Sequence, residues 1–311
     1  MINIPNNNIK LYMRYRKILP SAQGMAIFGD YAFILHHTGV CAVYDLNRRN
    51  ENGLVQFKLG SYNAGEKGEA YINHSNQCMF SNTFFEGNDL PLLYVTTGNK
   101  GGSDENGFYY RCAVENISLR RNESGEIVSG SSELIQTISY KNEEIENTPF
   151  ETPCCGCPAW FIDSNNSDLY IFSARYRTTV EFLKYKSENR YIITKFSLPD
   201  VKKDSFIVLT AKDILDQFLL PFDILFTQGG MIKGNKLYYT FGLGDDRYPI
   251  GLRVYDLEKK SLSAKMDLQD SILGNKEIES CSFYKGELLC NTNAEPAGIF
   301  SLGSEIKTLL S

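Results

Sequence analysis

A strand, a tight turn and a second strand recur along this chain, and that repeat limits the folds open to it more than any other feature. The copy from Gln228 to Phe241 turns at Gly234-Asn235, the copy from Gln23 to Ile34 at Gly29-Asp30, and the copy from Glu279 to Cys290 at Lys285-Gly286. In all three a polar residue stands 9 positions before the first apolar residue of the second strand, which is Ala32, Leu237 or Leu288. Two stretched copies fill the gaps: one leads from His74 past an insertion to Leu92-Leu93-Tyr94-Val95, the other from Cys157 to Phe172. The five starts, at 23, 74, 157, 228 and 279, are about 64 residues apart on average. That spacing suits four-stranded blades around an axis. The expected fold is all-β: a single β-propeller domain over residues 1–311, with five blades of four antiparallel strands.

The segment from Ile9 to Leu19 alternates apolar with polar residues and has no partner nearby in sequence. It is expected to complete the last blade and so to close the ring, removing the sheet edges an open array would expose. Glu305 to Leu310 is expected to pair with it or lie beside it. A second internal match supports the repeat, since Val43-Tyr44-Asp45-Leu46 recurs as Val254-Tyr255-Asp256-Leu257. In the third blade the later strands are read at Tyr170 to Ala174, Thr179 to Tyr185 and Tyr191 to Phe196. One helix is expected over Ala211 to Phe218, with Thr210 as its N-cap and Asp213 as the capping-box partner.

Aromatic residues, with 19 Tyr and 19 Phe, and 25 Gly suit strands joined by tight turns. The net charge of −5, without long basic runs, argues against duplex nucleic acid as a partner. No apolar stretch reaches the length of a membrane span, and Met1 to Leu19 lacks the apolar run of a signal peptide. A cytoplasmic monomer is therefore expected, or an extracytoplasmic protein if a leader has been removed. Of the eight cysteines, most sit among apolar strand residues and read as buried free thiols, with no disulfide required. Cys154-Cys155-Gly156-Cys157 lacks a second ligand pair, so no metal site is assigned.

In a propeller, the starts of the innermost strands and the turns between second and third strands share one mouth of the central channel. The first set supplies Gln23, His74, Asn76, Cys157, Gln228 and Glu279; the second supplies His36, His37, the loop 99–106 with Asp104 and Glu105, Arg175 and Asn293. Gln23, His37, His74, Asn76, Arg175, Gln228, Glu279 and Asn293 are the expected ligand-binding residues, because polar groups converging on one concavity are what a pocket needs. The same residue types also serve only to bond backbone groups along a channel. Of the adjacent His36 and His37, at most one ring faces the mouth. Trp160 is expected in the core.

Gln23-Gly24-Met25-Ala26, His74-Ser75-Asn76, Pro91 to Val95, Arg111 to Val114 and Glu279 ahead of Phe283-Tyr284-Lys285-Gly286 resemble a group of uncharacterised bacterial five-bladed β-propeller proteins. That resemblance implies the fold and no particular activity. Three functions stay open from the residues. One is a binding propeller that holds a small molecule, glycan or peptide. Another is a glycan-active hydrolase or lyase with Glu279 and His74, or Glu279 and an acid of the 99–106 loop, as catalytic groups. The third is a protein-interaction scaffold. No cofactor is expected, although a polar channel is compatible with a bound cation such as calcium.

Overall fold

Two short strands open the chain, β1 (Ile2–Asn3) and β2 (Lys10–Arg14), and neither pairs with its neighbours in sequence. The first blade is the meander β3 (Ala22–Phe28), β4 (Tyr31–His36), β5 (Val40–Asp45) and β6 (Val55–Lys58). The second is β7 (Cys78–Phe84), β8 (Pro91–Thr97), β9 (Arg111–Arg121) and β10 (Ile127–Tyr140). The third runs through β11 (Cys155–Asp163), β12 (Asp168–Ala174) and β13 (Tyr191–Ser197), and after β14 (Phe206–Leu209) it resumes with β15 (Asp216–Leu220). The fourth is β16 (Thr227–Lys233), β17 (Lys236–Phe241), β18 (Gly251–Asp256) and β19 (Ser261–Asp267). Strands β20 (Ile278–Tyr284), β21 (Glu287–Thr292) and β22 (Gly298–Ser301) begin the fifth. Strand β2 completes it by pairing antiparallel with β22, Leu11 opposite Phe300. The chain is thus a five-bladed β-propeller closed by its N-terminal segment. The structure, a computed structural model, describes residues 1–15, 22–37, 39–63, 77–97, 111–141, 148–153, 155–175, 183–184, 190–293, 297–303 and 306.

The inner three strands of each blade are largely buried on both faces, so the core is a set of layers between blades. Trp160, Phe161, Phe172, Tyr239 and Phe241 fill the space from the second to the fourth blade, and Phe172 stacks on Tyr239 with ring centroids 4.3 Å apart. Separate layers join the fourth blade to the fifth, the fifth to the first and the first to the second. Cys41, Cys78, Cys112, Cys281 and Cys290 are free and buried in these layers. No helix among the described residues is long and apolar enough to cross a membrane.

Two strands cross between blades. β1 adds to the outer edge of the fourth blade, parallel to β19, and β14 adds to the second, parallel to β10, although it lies in sequence inside the third. The expected helix over Ala211 to Phe218 is not formed. The capping box of Thr210 and Asp213 is present, but it caps a single 3-10 turn, Ala211–Asp213. The residues after it form β15, the outer strand of the third blade, where backbone pairing with β13 outweighs local helix propensity. β13 pairs directly with β12 and is therefore the third strand of that blade. The strand read at Thr179 to Tyr185, and the pairing expected of Glu305 to Leu310, lie almost wholly outside the described residues.

A buried carboxylate ties the first blade to the second. Glu115 on β9 accepts from the N–H groups of Gly60 (2.8 Å) and Ser61 (2.9 Å) and from Ser132 Oγ (2.7 Å). Gly60 is required there, since a Cβ would stand 2.2 Å from Leu134 N. Three donors hold the charge in place of water, which is what a buried anion needs.

Candidate functional site

Antiparallel pairing brings the start of each innermost strand and the end of the second strand to the same face of the ring. The pairs Met25↔Ile34, Met79↔Tyr94, Trp160↔Ile171, Gly230↔Tyr239 and Cys281↔Cys290 superpose the five blades. Two residues before each first partner stand Gln23, Gln77, Pro158, Gln228 and Glu279. The second copy therefore begins at Gln77 and not at His74, and the third at Pro158 and not at Cys157. The insertion between Phe80 and Leu92 hides this register from a count made backwards from the second strand. Counting forwards from Gln-x-x along the first strand reveals it.

Four of these positions lie at an irregularity of the ladder, Pro158 at the one between Cys155 and Ala159. Pairing passes from Ala22↔His36 to Met25↔Ile34, from Thr227↔Phe241 to Gly230↔Tyr239, and from Ile278↔Thr292 to Ser280↔Asn291. Gln23, Gln228 and Glu279 are thus repeated bulge residues. A bulge releases a residue from strict alternation and re-aims its side chain.

The re-aimed groups of the fourth and fifth blades meet in one cluster. Gln228 Nε2 donates to Glu277 Oε1 at 2.7 Å and to the carbonyl of Gly242 at 3.1 Å. Asn293 Nδ2 donates to Glu277 Oε2 at 3.0 Å and also to Glu279 Oε1. Glu279 is 1% exposed, and its Oε2 has no hydrogen-bond partner among the described residues. Burial pushes its carboxyl well above the usual glutamate range, the Glu277 carboxylate beside it pushes the same way, and the Asn293 amide opposes them without prevailing. Lys276, next in sequence to Glu277, is buried too but does not reach Glu279 Oε2.

Sequence reasoning missed Glu277. Its signal was Glu277-Ile278-Glu279, two acids separated by one residue where a strand begins, which places both on one side of the strand. It also missed Gln77, which is fully buried and crosses the ring: the Gly230 N–H of the fourth blade donates to Gln77 Oε1 at 2.7 Å.

The other expected residues that the structure describes are dispersed. Gln23 is buried, and its carbonyl accepts from Asn291 Nδ2 at 2.6 Å, joining the first blade to the fifth. His37 is half-buried in the turn after β4, and its Nδ1 makes no hydrogen bond. Arg175 does not join the cluster; it makes a two-pronged ion pair with Glu151, with Nε donating to Oε2 at 2.7 Å. His74, Asn76 and the acids of the 99–106 loop lie outside the described residues. Among the described residues no group of three or more His, Cys, Asp and Glu side chains could hold a metal ion. A separate groove of about 240 Å³ between the first blade and the β9–β10 hairpin is lined by Tyr31, Asp45, Arg48 and Arg121. Its cations already have partners, Arg48 with Asp45 and Arg121 with the carbonyl of Gly125.

No protein-family model and no curated protein matches this sequence. Among solved structures, the chain is similar to the crystal structure of Myxococcus xanthus glutaminyl cyclase, with 10% identity, a TM-score of 0.45 and 94% of each chain covered. Similarity at that level carries no argument about activity.

Proposed function

We propose that this protein is a ligand-binding propeller whose site lies on the face where the innermost strands begin, centred on Glu279 with Glu277, Asn293 and Gln228 around it. The observation that carries this reading is the unpartnered Oε2 of a carboxyl that is 1% exposed. A buried carboxyl oxygen left without a donor costs on the order of 1–3 kcal/mol. A channel-lining role alone gives no reason to keep one at the only ring position that bears an acid. Glu277, which shares Asn293 with Glu279, is partly exposed.

The hydrolase or lyase reading needs a second group across the substrate from Glu279. Glu277 does not provide it, because the Asn293 amide sits between the two carboxyls and bonds both. Binding is accordingly the reading that the described residues support. A thermal-shift screen of small molecules, glycans and short peptides against wild type and Glu279→Gln tests it. At least one compound is expected to raise the melting temperature of the wild type and not of the variant. Hits that shift both proteins equally would place the site elsewhere, and turnover of a hit would make the protein an enzyme.

A further inference from the structure

We infer that the ligand presents a primary ammonium group to the Glu277–Glu279 pair; this rests on the binding reading above and narrows it to a chemical class. The inference follows from counting donors and acceptors. A primary amide nitrogen has two N–H bonds to give. Those of Gln228 are spent on Gly242 O and Glu277 Oε1, and those of Asn293 on Glu277 Oε2 and Glu279 Oε1. No side-chain N–H of these two amides is left over for a ligand. Once Glu279 has released its proton, what the cluster leaves open is an acceptor, Oε2, and a cation seated there favours that ionised form.

A ligand that completes the ionised site must therefore donate. Two carboxyl groups joined through one amide favour a donor that also carries positive charge, since a charge-assisted hydrogen bond is about twice as strong as a neutral one. A bare metal ion is less well served. The two amides turn their nitrogens, not their oxygens, toward the carboxyls, so they offer a cation no ligand atoms. An anion or a pure acceptor meets only carboxyl oxygens. A guanidinium, being planar and forked, asks for two adjacent free oxygens, whereas one is open here.

The test is titration calorimetry of the full chain with three probes of similar size: butylamine, butanol and tetramethylammonium. Butylamine carries charge and N–H donors, butanol a donor without charge, and tetramethylammonium charge without a donor. Butylamine is expected to bind roughly tenfold more tightly than either of the others. That preference should vanish in Glu279→Gln and weaken in Glu277→Gln, with circular dichroism showing that each variant is folded. If Glu279→Gln does not fold, Glu277→Gln alone decides, because its side chain is partly exposed. Equal affinity for the three probes, or preference for calcium or magnesium chloride over butylamine, overturns the inference. If a compound from the broader screen stabilises the wild type through Glu279 yet bears no ammonium, the ligand class is wrong while the site stands. If no compound acts through Glu279, both fail.

Discussion

The raised pKa of Glu279 in the folded protein has a definite sign in stability. Its folded-state pKa is raised above the ordinary glutamate value of 4.5, with burial as the main cause and Glu277 as the second. The contribution of such a group is fully present below the unfolded value and is lost as pH rises through the folded one. Glutamine cannot lose a proton, so Glu279→Gln removes that dependence. Urea unfolding of both proteins from pH 4.5 upward should therefore show the variant gaining on the wild type as pH rises. A difference that stays constant with pH would mean that Glu279 keeps the same protonation state folded and unfolded. At this scale the sequence was partly legible. Gln228, Glu279 and Asn293 follow from their repeat positions, because a position that recurs in each blade recurs around the ring. Glu277 was missed because it precedes the strand, where the repeat assigns it no place, and only its spacing from Glu279 marked it. Arg175 looked like a site residue only by position, and its pairing with Glu151 is a contact between distant segments that no local pattern encodes.

At the scale of single elements, innermost strands do more than start blades. The side chain of Gln77, just ahead of β7, reaches the backbone of β16 two blades away, so the ring is held across its centre as well as around its circumference. Gly230 is itself required by the neighbouring strand, since a Cβ there would stand 2.0 Å from Tyr238 O. Gln77→Ala strands the buried Gly230 N–H and is expected to cost about 1–3 kcal/mol, read as a lower urea midpoint at unchanged slope. A stability within about 0.5 kcal/mol of wild type would show that the crossing bond contributes little. The strand–turn–strand units were legible because their turns and apolar alternation are local. The segment from Ala211 to Phe218 was misread because its capping box is real, yet only one turn follows before the chain is drawn into pairing with β13. β14 was missed for a related reason. A parallel strand delivered from the third blade to the edge of the second leaves no mark in either blade's own sequence.

For the molecule as a whole, closure depends on fewer than fifteen residues. The N-terminal segment gives β1 to the fourth blade and β2 to the fifth, so one stretch covers two neighbouring outer edges. Deleting residues 1–14 should leave both edges open and the product aggregated or unfolded in gel filtration and circular dichroism. A soluble monomer with wild-type melting would exclude closure by this segment. The closure was legible because an alternating strand without a local partner, ahead of five repeats, has one natural place in a ring.

We propose that the ring of strand starts presents Glu279 to a ligand. A crystal structure of the protein with the strongest hit of the ligand screen tests it most directly. The prediction is a ligand donor within about 3 Å of Glu279 Oε2, with the bonds from Asn293 and Gln228 to Glu277 retained. A ligand seated elsewhere, or a Glu279 Oε2 satisfied by one of the protein's own side chains, would contradict it.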